Sequence, residues 1–503
     1  MSKTSIISIY DKSPKIAILE STFAARNKSQ ATGLVGSALS FVMHSLFKKA
    51  ELPLLILFRN KEEAAYYLND LEQLLNTEDV LFYPSSYRRP YQIEETDNAN
   101  ILLRAEVLNR INSRKKPAII VSYAEAIFEK VVTRKELEKN TLKLAVSDNL
   151  SIDFINETLF EYNFKRVDFV TEPGEFSVRG GIIDVFSFSN DNPYRIEFFG
   201  NEVDSIRSFD VETQLSIEKL KKISIIPNVE NKLLQESRES FLDYISEKTV
   251  IVIQNTESLG EQLDKLFSKA KEAFGALSSD IKHAPPEELF LDQKQFLRRA
   301  LDFAVVELQA KAVFKIDKSV EFHIQPQPSF NKQFDLLLNN LSENHFNGLK
   351  NYLCCSNENQ ASRFHDIFED IDEANSESIR KQYKTMVLPL YEGFIDAENQ
   401  IACYTDHQIF ERYHKFSIKN GYSKKQTITL KELTSLSVGD YVTHIDHGIG
   451  KFGGLQKIQV EGKTQEAIKL VYADNDIVYV SIHSLHKISK FNGKDGTPPK
   501  IYK

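Results

Sequence analysis

Residues 174–200 read GEFSVRGGIIDVFSFSNDNPYRIEFFG, a run of short strands at period two whose reading decides the fold. Turn signals break the run at Pro173-Gly174, Gly180-Gly181, residues 190–193 and Gly200-Asn201. Successive side chains of a strand point to opposite sides, so alternation assigns faces. Phe176 and Val178 point one way, Ser177 and Arg179 the other; Tyr194, Ile196 and Phe198 oppose Arg195, Glu197 and Phe199. Just upstream, Val167 and Phe169 share one face while Arg166 and Asp168 share the other. With the apolar sides inward, Arg166, Arg179, Arg195 and Glu197 lie outside with Phe199 beside them. Such a face is either solvated sheet laced by cross-strand ion pairs or a docking surface, because arginines and aromatics dominate binding hot spots. Alternation does not separate the two.

Outward from this unit the period changes on both sides. Upstream, apolar runs at residues 52–58, 80–83 and 118–123 read as buried strands. They alternate with helices carrying Ala64, Tyr67, Leu68, Leu71 and Leu74, then Ile101, Ala105 and Leu108, then residues 124–132. Residues 152–164 read as one more helix. Downstream of Pro227 the alternation returns, with a strand at 249–254 and an amphipathic helix at 261–274. Alternating β and α implies a parallel sheet with helices on its faces. The pieces on either side of the period-two unit therefore make one discontinuous domain.

Residues 325–330 hold two prolines and read as a linker to a smaller α/β domain, with helices near 335–341 and 360–368 and strands at 351–355, 386–390 and 399–404. After Lys424-Lys425 comes an all-β stretch, with strands at 440–445, 455–460, 467–472 and 477–482 and a glycine-rich turn or bulge at 448–454. The length suits a small SH3-like or Tudor-like barrel, a fold able to offer a strand edge to a partner. The predicted architecture is thus multidomain α/β. A parallel α/β domain (1–145 and 228–320) carries an inserted antiparallel β domain (146–227). A small α/β domain (325–420), a β-barrel (430–490) and a linker (491–503) follow.

Composition narrows the function classes. Of 503 residues, 42% are apolar and 27% charged, the balance of a globular chain with room for a core in each domain. No apolar run reaches the length of a membrane span and the N-terminus lacks a secretory pattern, so a cytoplasmic protein is expected. The net charge of −8 argues against a broad phosphate-neutralising surface and favours protein partners. Cys354, Cys355 and Cys403 lack disulfide or zinc spacing. His444, Asp446 and His447, with His483 and His486, are read as hydrogen-bonding groups at strand ends, and no metal site is predicted.

One motif points to nucleotides and then away from them. Gly33-Leu34-Val35-Gly36-Ser37-Ala38-Leu39-Ser40 has the length and placement of a phosphate-binding GxxxxGK[ST] loop. Ala38 stands where the second glycine lets backbone N–H groups cradle phosphate. Leu39 stands where a lysine would reach the outer phosphates, and phosphoryl transfer rests on such charge. No catalytic residue and no cofactor are therefore predicted, and the loop reads as a helix N-terminus with small residues for close packing.

Residues 166–170 (RVDFV), 174–186 (GEFSVRGGIIDVF), 194–200 (YRIEFFG) and 203–210 (VDSIRSFD) resemble the bacterial transcription-repair coupling factors and the UvrB subunit of the excision nuclease. Residues 439–452 (GDYVTHIDHGIGKF) and 479–486 (YVSIHSLH) resemble the polymerase-interacting, CarD-like domain of the same coupling factors. The resemblance implies a UvrB-like module whose contact with UvrA uses Arg166, Arg179, Arg195 and Glu197, with Phe199 alongside. Ser177 departs from a family arginine. It also implies a strand for the β subunit of RNA polymerase formed by Leu455, Lys457, Ile458 and Val460, with Ile458 as the apolar contact. The family's DNA-translocating motor, with its ATP and Mg, is expected beyond Lys503, and DNA is expected to be met mainly through it. The expected role is a non-catalytic adaptor. The alternatives are a UvrB-like ATP-dependent DNA helicase and a CarD-like transcription regulator.

Overall fold

A computed structural model describes residues 6–86, 98–113, 116–188, 190, 192–211, 213–227, 238–276, 284–371, 376–412, 438–444, 448–460, 463–472, 476–481 and 488–490, with backbone alone at 98, 99, 113, 376, 443, 448, 457–460, 463–466, 481, 489 and 490. The chain divides into two units, residues 1–136 with 233–418, and residues 137–232 with 419–503.

The first unit is built on a seven-stranded sheet, in the order Lys318–Glu321, Lys28–Thr32, Ala304–Glu307, Val250–Ile253, Leu54–Phe58, Ile119–Tyr123 and Val80–Phe82. Every pairing in it is parallel. Lys28–Thr32 lies between two strands from beyond residue 300, so segments on either side of the β insertion share one sheet. The interior strands LLILF, IIVSY and VIVI are buried along their whole length, as helices on both faces of a parallel sheet require. Helices Ala38–Ala50, Lys61–Leu74 and Thr256–Gly275 supply the cover. Asn60 and Asn255 start the latter two by accepting from the N–H groups of Glu63 and Ser258.

A second sheet in the same unit runs Ile324–Pro326, Phe394–Asp396, Ile401–Thr405, Lys350–Cys355 and Tyr383–Val387, the last three parallel. Helices Phe334–Phe346 and Glu358–Ile371 pack on it around Leu337, Leu341, Leu353, Phe364 and Tyr404. Here the structure corrects the linker reading of 325–330. Gln325 and Pro326 lie in an edge strand, where a missing N–H costs no ladder bond. The predicted helix at 124–132 stops at Phe128, and Val131–Val132 pairs with Arg238–Glu239. The three cysteines are free and buried.

In the second unit, the period-two stretch forms a six-stranded sheet in the order Ser216–Leu220, Glu202–Phe209, Tyr194–Phe199, Ile182–Val185, Glu175–Arg179 and Lys165–Arg166. Helix Ile152–Glu161, capped by Ser151, packs with Ile155 and Leu159 buried. Leu142–Ala145 pairs with Lys222–Ile225, which ties the start of the insertion to its end. The C-terminal residues form an antiparallel five-stranded sheet in the order Ile477–Ser481, Lys463–Val471, Gly448–Val460, Tyr441–His444 and Ile488–Lys490. Its core holds Val442, Phe452, Ile468, Leu470 and Tyr472. The predicted glycine-rich turn and the strand after it are one strand, bent where Gly453 and Gly454 sit in a register shift between Phe452 and Leu455. Among the described residues, no helix is long and apolar enough to cross a membrane.

Candidate binding sites

Gly33 and Gly36 take left-handed backbone between Lys28–Thr32 and the helix Ala38–Ala50, so the strand–loop–helix context of a phosphate loop is present. Its donors are engaged by the chain's own residues. Ala38 and Leu39 are buried in the first helical turn, with Ser37 at the cap position. The Ser37 N–H donates to the carbonyl of Glu392 at 3.0 Å, and the Glu392 N–H donates to Ser37 Oγ at 3.0 Å. A side chain at Gly36 would meet the carbonyl of Gly393 at 3.0 Å, so the two backbones touch. Asp70, on the neighbouring helix, accepts from the N–H of Tyr391 at 2.7 Å and from Ser40 Oγ at 3.2 Å. Burial without a cation pushes its carboxyl up to about 7, against the opposing pull of the hydrogen bonds from Ser37, Tyr391 and Ser40. At the end of the adjacent strand, the buried Glu307 carboxylate accepts from the N–H groups of Val313 and Phe314 and so closes its own loop.

The face of the six-stranded sheet is legible in its register. Lys219, Arg207, Arg195, Asp184 and Ser177 are successive partners across the strands, and Ser205, Glu197, Ile182 and Arg179 form the next row. Fully buried Asp184 is the centre. It accepts from Arg195 Nε at 2.7 Å and Nη2 at 2.9 Å, and it pairs with Arg179. The Arg195 guanidinium lies over Phe209 at 4.5 Å and that of Arg179 over Phe169 at 5.3 Å. The hydrogen bonds to Asp184 raise Arg195 above its ordinary range. Glu197 accepts from Ser205 at 2.7 Å and pairs with Arg207, and these contacts lower its carboxyl. The Arg195 guanidinium, held by two nitrogens on one carboxylate, is a pre-organised donor. Phe199 stands 83% exposed at the hairpin tip.

Two sequence readings of this face change. Arg166 does not share the parity of Arg179 and Arg195: it is the parallel partner of Phe176, whose row continues to Val185 and not to Asp184. Val167 instead packs with Phe209, and Phe169 lies under Arg179. The reason is topological, since Lys165–Arg166 is a two-residue parallel edge and the chain turns before continuing. Conversely, the sequence reading left out Arg207 and Asp184. The pairing partner of Arg195 would have pointed to Arg207, but that partner is fixed only once the hairpin register is known.

The third candidate is an open edge. Gly448–Val460 pairs with Lys463–Val471 along its length, but with Tyr441–His444 only over residues 448–451. Residues 455–460 have no ladder partner on that side among the described residues. Leu455 is exposed there, and Tyr479 donates to Gln456 Oε1 at 3.1 Å. Lys457, Ile458 and Val460 are placed by backbone only, and Asp446, His447, His483 and His486 lie outside the described residues.

Residues 142–230 match the family model of the UvrB interaction domain, and residues 436–492 match that of the CarD-like/TRCF RID domain. The chain is also similar to proteins named transcription-repair-coupling factor. It is 25% identical to that of Bacillus subtilis, covering 94% of this chain and 46% of the relative. With that of Haemophilus influenzae the identity is 24%, covering 84% and 42%. The likeness to these coupling factors runs over most of the chain and takes in both matched domains. The chain spans about half the length of the curated relatives it matches. The two matched domains hold two of the three candidate sites. The charged face and its Phe199 tip lie in the UvrB interaction domain, and the open edge lies in the CarD-like domain. The degenerate phosphate loop lies in neither.

Proposed function

We propose that this part of a coupling factor is an adaptor that holds the β subunit of RNA polymerase at residues 455–460 and UvrA at the charged face, and so starts transcription-coupled excision repair at a stalled polymerase. The observation that carries the reading is the presence of both domain matches in one chain. Physical support comes from each site. A strand edge with no ladder partner among the described residues, carrying an exposed leucine, suits strand addition by a partner sheet, where main-chain bonds give affinity and alternate side chains give specificity. A row of fixed guanidiniums beside an exposed phenylalanine suits a polar, hot-spot interface. The contact set on this face is Arg179, Arg195, Glu197, Arg207 and Phe199, with Arg166 at the sheet's far edge. The phosphate loop takes no part in chemistry in this reading, because Leu39 supplies no charge and the loop already holds protein backbone. Cytoplasmic location and a translocating motor elsewhere in the intact protein belong to the same proposal.

The test is capture of purified RNA polymerase β subunit and of UvrA by the chain. Ile458→Arg abolishes polymerase capture and leaves UvrA capture unchanged. Retention of polymerase by a folded Ile458→Arg chain rejects the assignment of this edge.

A further inference from the structure

The small α/β domain meets the phosphate-loop domain through residues 391–398. On its own side, this segment is held by the Gly393 N–H donating to Gln408 Oε1 at 2.8 Å, just after the Leu388 N–H donates to the Cys355 carbonyl at 3.1 Å. On the other side, it reaches the places a nucleotide's phosphates take in an intact loop. The Ser37 N–H and Oγ are both bonded to the Glu392 backbone, and Gly36 is in backbone contact with Gly393. Asp70 takes the Tyr391 N–H, and the Tyr391 ring stacks on Tyr66 at 4.2 Å. Phe394 packs edge-on against Phe41 of the helix that the loop opens, at 5.6 Å. Further along, Tyr10 donates to Asp396 Oδ2 at 2.5 Å, and Glu398 pairs with Lys15 and with His323 at 2.8 Å.

We propose that the degenerate phosphate loop is a docking socket for residues 391–393. Backbone groups that would cradle phosphate instead bind the chain's own peptide, and the small domain is thereby latched to the phosphate-loop domain. Three features carry this. The donors used are those a phosphate loop turns toward its ligand: an N–H and a hydroxyl at a helix start. Gly36, at a free position of the motif, lets a peptide backbone approach closely. Asp70, which anchors the segment, supplies an acceptor for a backbone N–H and no positive charge for a phosphate. Loss of the lysine is then one of two barriers to nucleotide, the other being occupied space. The small domain, which the family matches leave without a role, gains one: it closes this site.

Hydrogen exchange on the full chain, read by mass spectrometry, tests the latch. Peptides covering residues 33–40 and 388–396 are expected to be protected together. Ser37→Ala and Tyr391→Ala sit on opposite sides of the contact. Each is expected to speed exchange in both peptides about tenfold, the size expected for losing one net hydrogen bond or ring contact. Strands Leu54–Phe58 and Lys350–Cys355 serve as controls and keep their protection. Acceleration confined to the peptide carrying the substitution, or none in either, overturns the latch. So does binding of a fluorescent ATP analogue with Mg to the unmodified chain while residues 388–396 stay protected. A variant that loses protection in the control strands has unfolded, and the other variant then decides.

Discussion

Two buried carboxylates illustrate opposite solutions to one cost. Asp184 is paired with Arg179 and Arg195. Removing it strands two guanidiniums, one of them largely buried. Asp184→Ala is therefore expected to destabilise the inserted domain by about 3 kcal/mol, whereas Arg179→Ala, at a half-exposed position, costs less than about 1 kcal/mol. Urea titration of both variants checks the ordering. Asp70 has no cation beside it among the described residues. Its carboxyl sits near 7 with Glu392, Tyr67, Tyr391 and Cys354 as its titratable neighbours, so the folded state favours the protonated form. Stability from this group is present at acid pH and declines as pH rises from about 4 to about 7, and it is flat above that. Asp70→Asn mimics the protonated acid. Its stability relative to the parent chain should rise between pH 5 and pH 8 by a few kcal/mol, and a difference independent of pH would refute this account. Neither carboxylate stands out in the sequence. Asp184 occupies an ordinary outward position in IIDV, and its burial depends on partners five and eleven residues away in register.

At the scale of elements, the strand Gly448–Val460 owes its two regimes to one bulge. The first residues are ladder on both sides; past Gly453 and Gly454 the strand leaves Tyr441–His444 behind. Gly454 has φ +89°, a conformation that β-branched residues adopt at a cost of about 1–2 kcal/mol. Gly454→Val should lower the melting temperature and weaken polymerase capture without touching any contact residue; undiminished capture would mean that the bend does not aim this edge. Elements with a strong period were legible. The buried runs of the parallel sheet, the period-two insertion and the C-terminal strands all form. What local pattern missed was set by pairing at a distance: Ile324–Pro326 is a strand because Phe394–Asp396 lies beside it, and Arg166 takes the face of Phe176 because the two are register partners. The phosphate loop was legible as a loop that had lost its lysine. Its occupant was not, because Ser37 and Glu392 are 355 residues apart and no motif links them.

For the whole molecule, two modules on one chain predict independence. Ile458→Arg and Arg179→Ala, far apart in sequence and in different domains, should reduce capture of one proposed partner each, and the double variant should show the sum of the two losses. A larger combined loss would reveal that the two contacts communicate. The interleaved sheet has a further consequence, for biosynthesis. Lys28–Thr32 is among the first strands to leave the ribosome, yet both of its neighbours, Ala304–Glu307 and Lys318–Glu321, come almost three hundred residues later. At about 5–20 residues per second of synthesis, that is roughly 15–60 s during which this strand has neither of its neighbours to pair with. The inserted domain carries its own ladder from Lys165 to Leu220 and can close while the parallel sheet is still waiting. The nascent chain should therefore gain protease resistance in the order insertion first, surrounding sheet second, the reverse of the order in which their first strands are made.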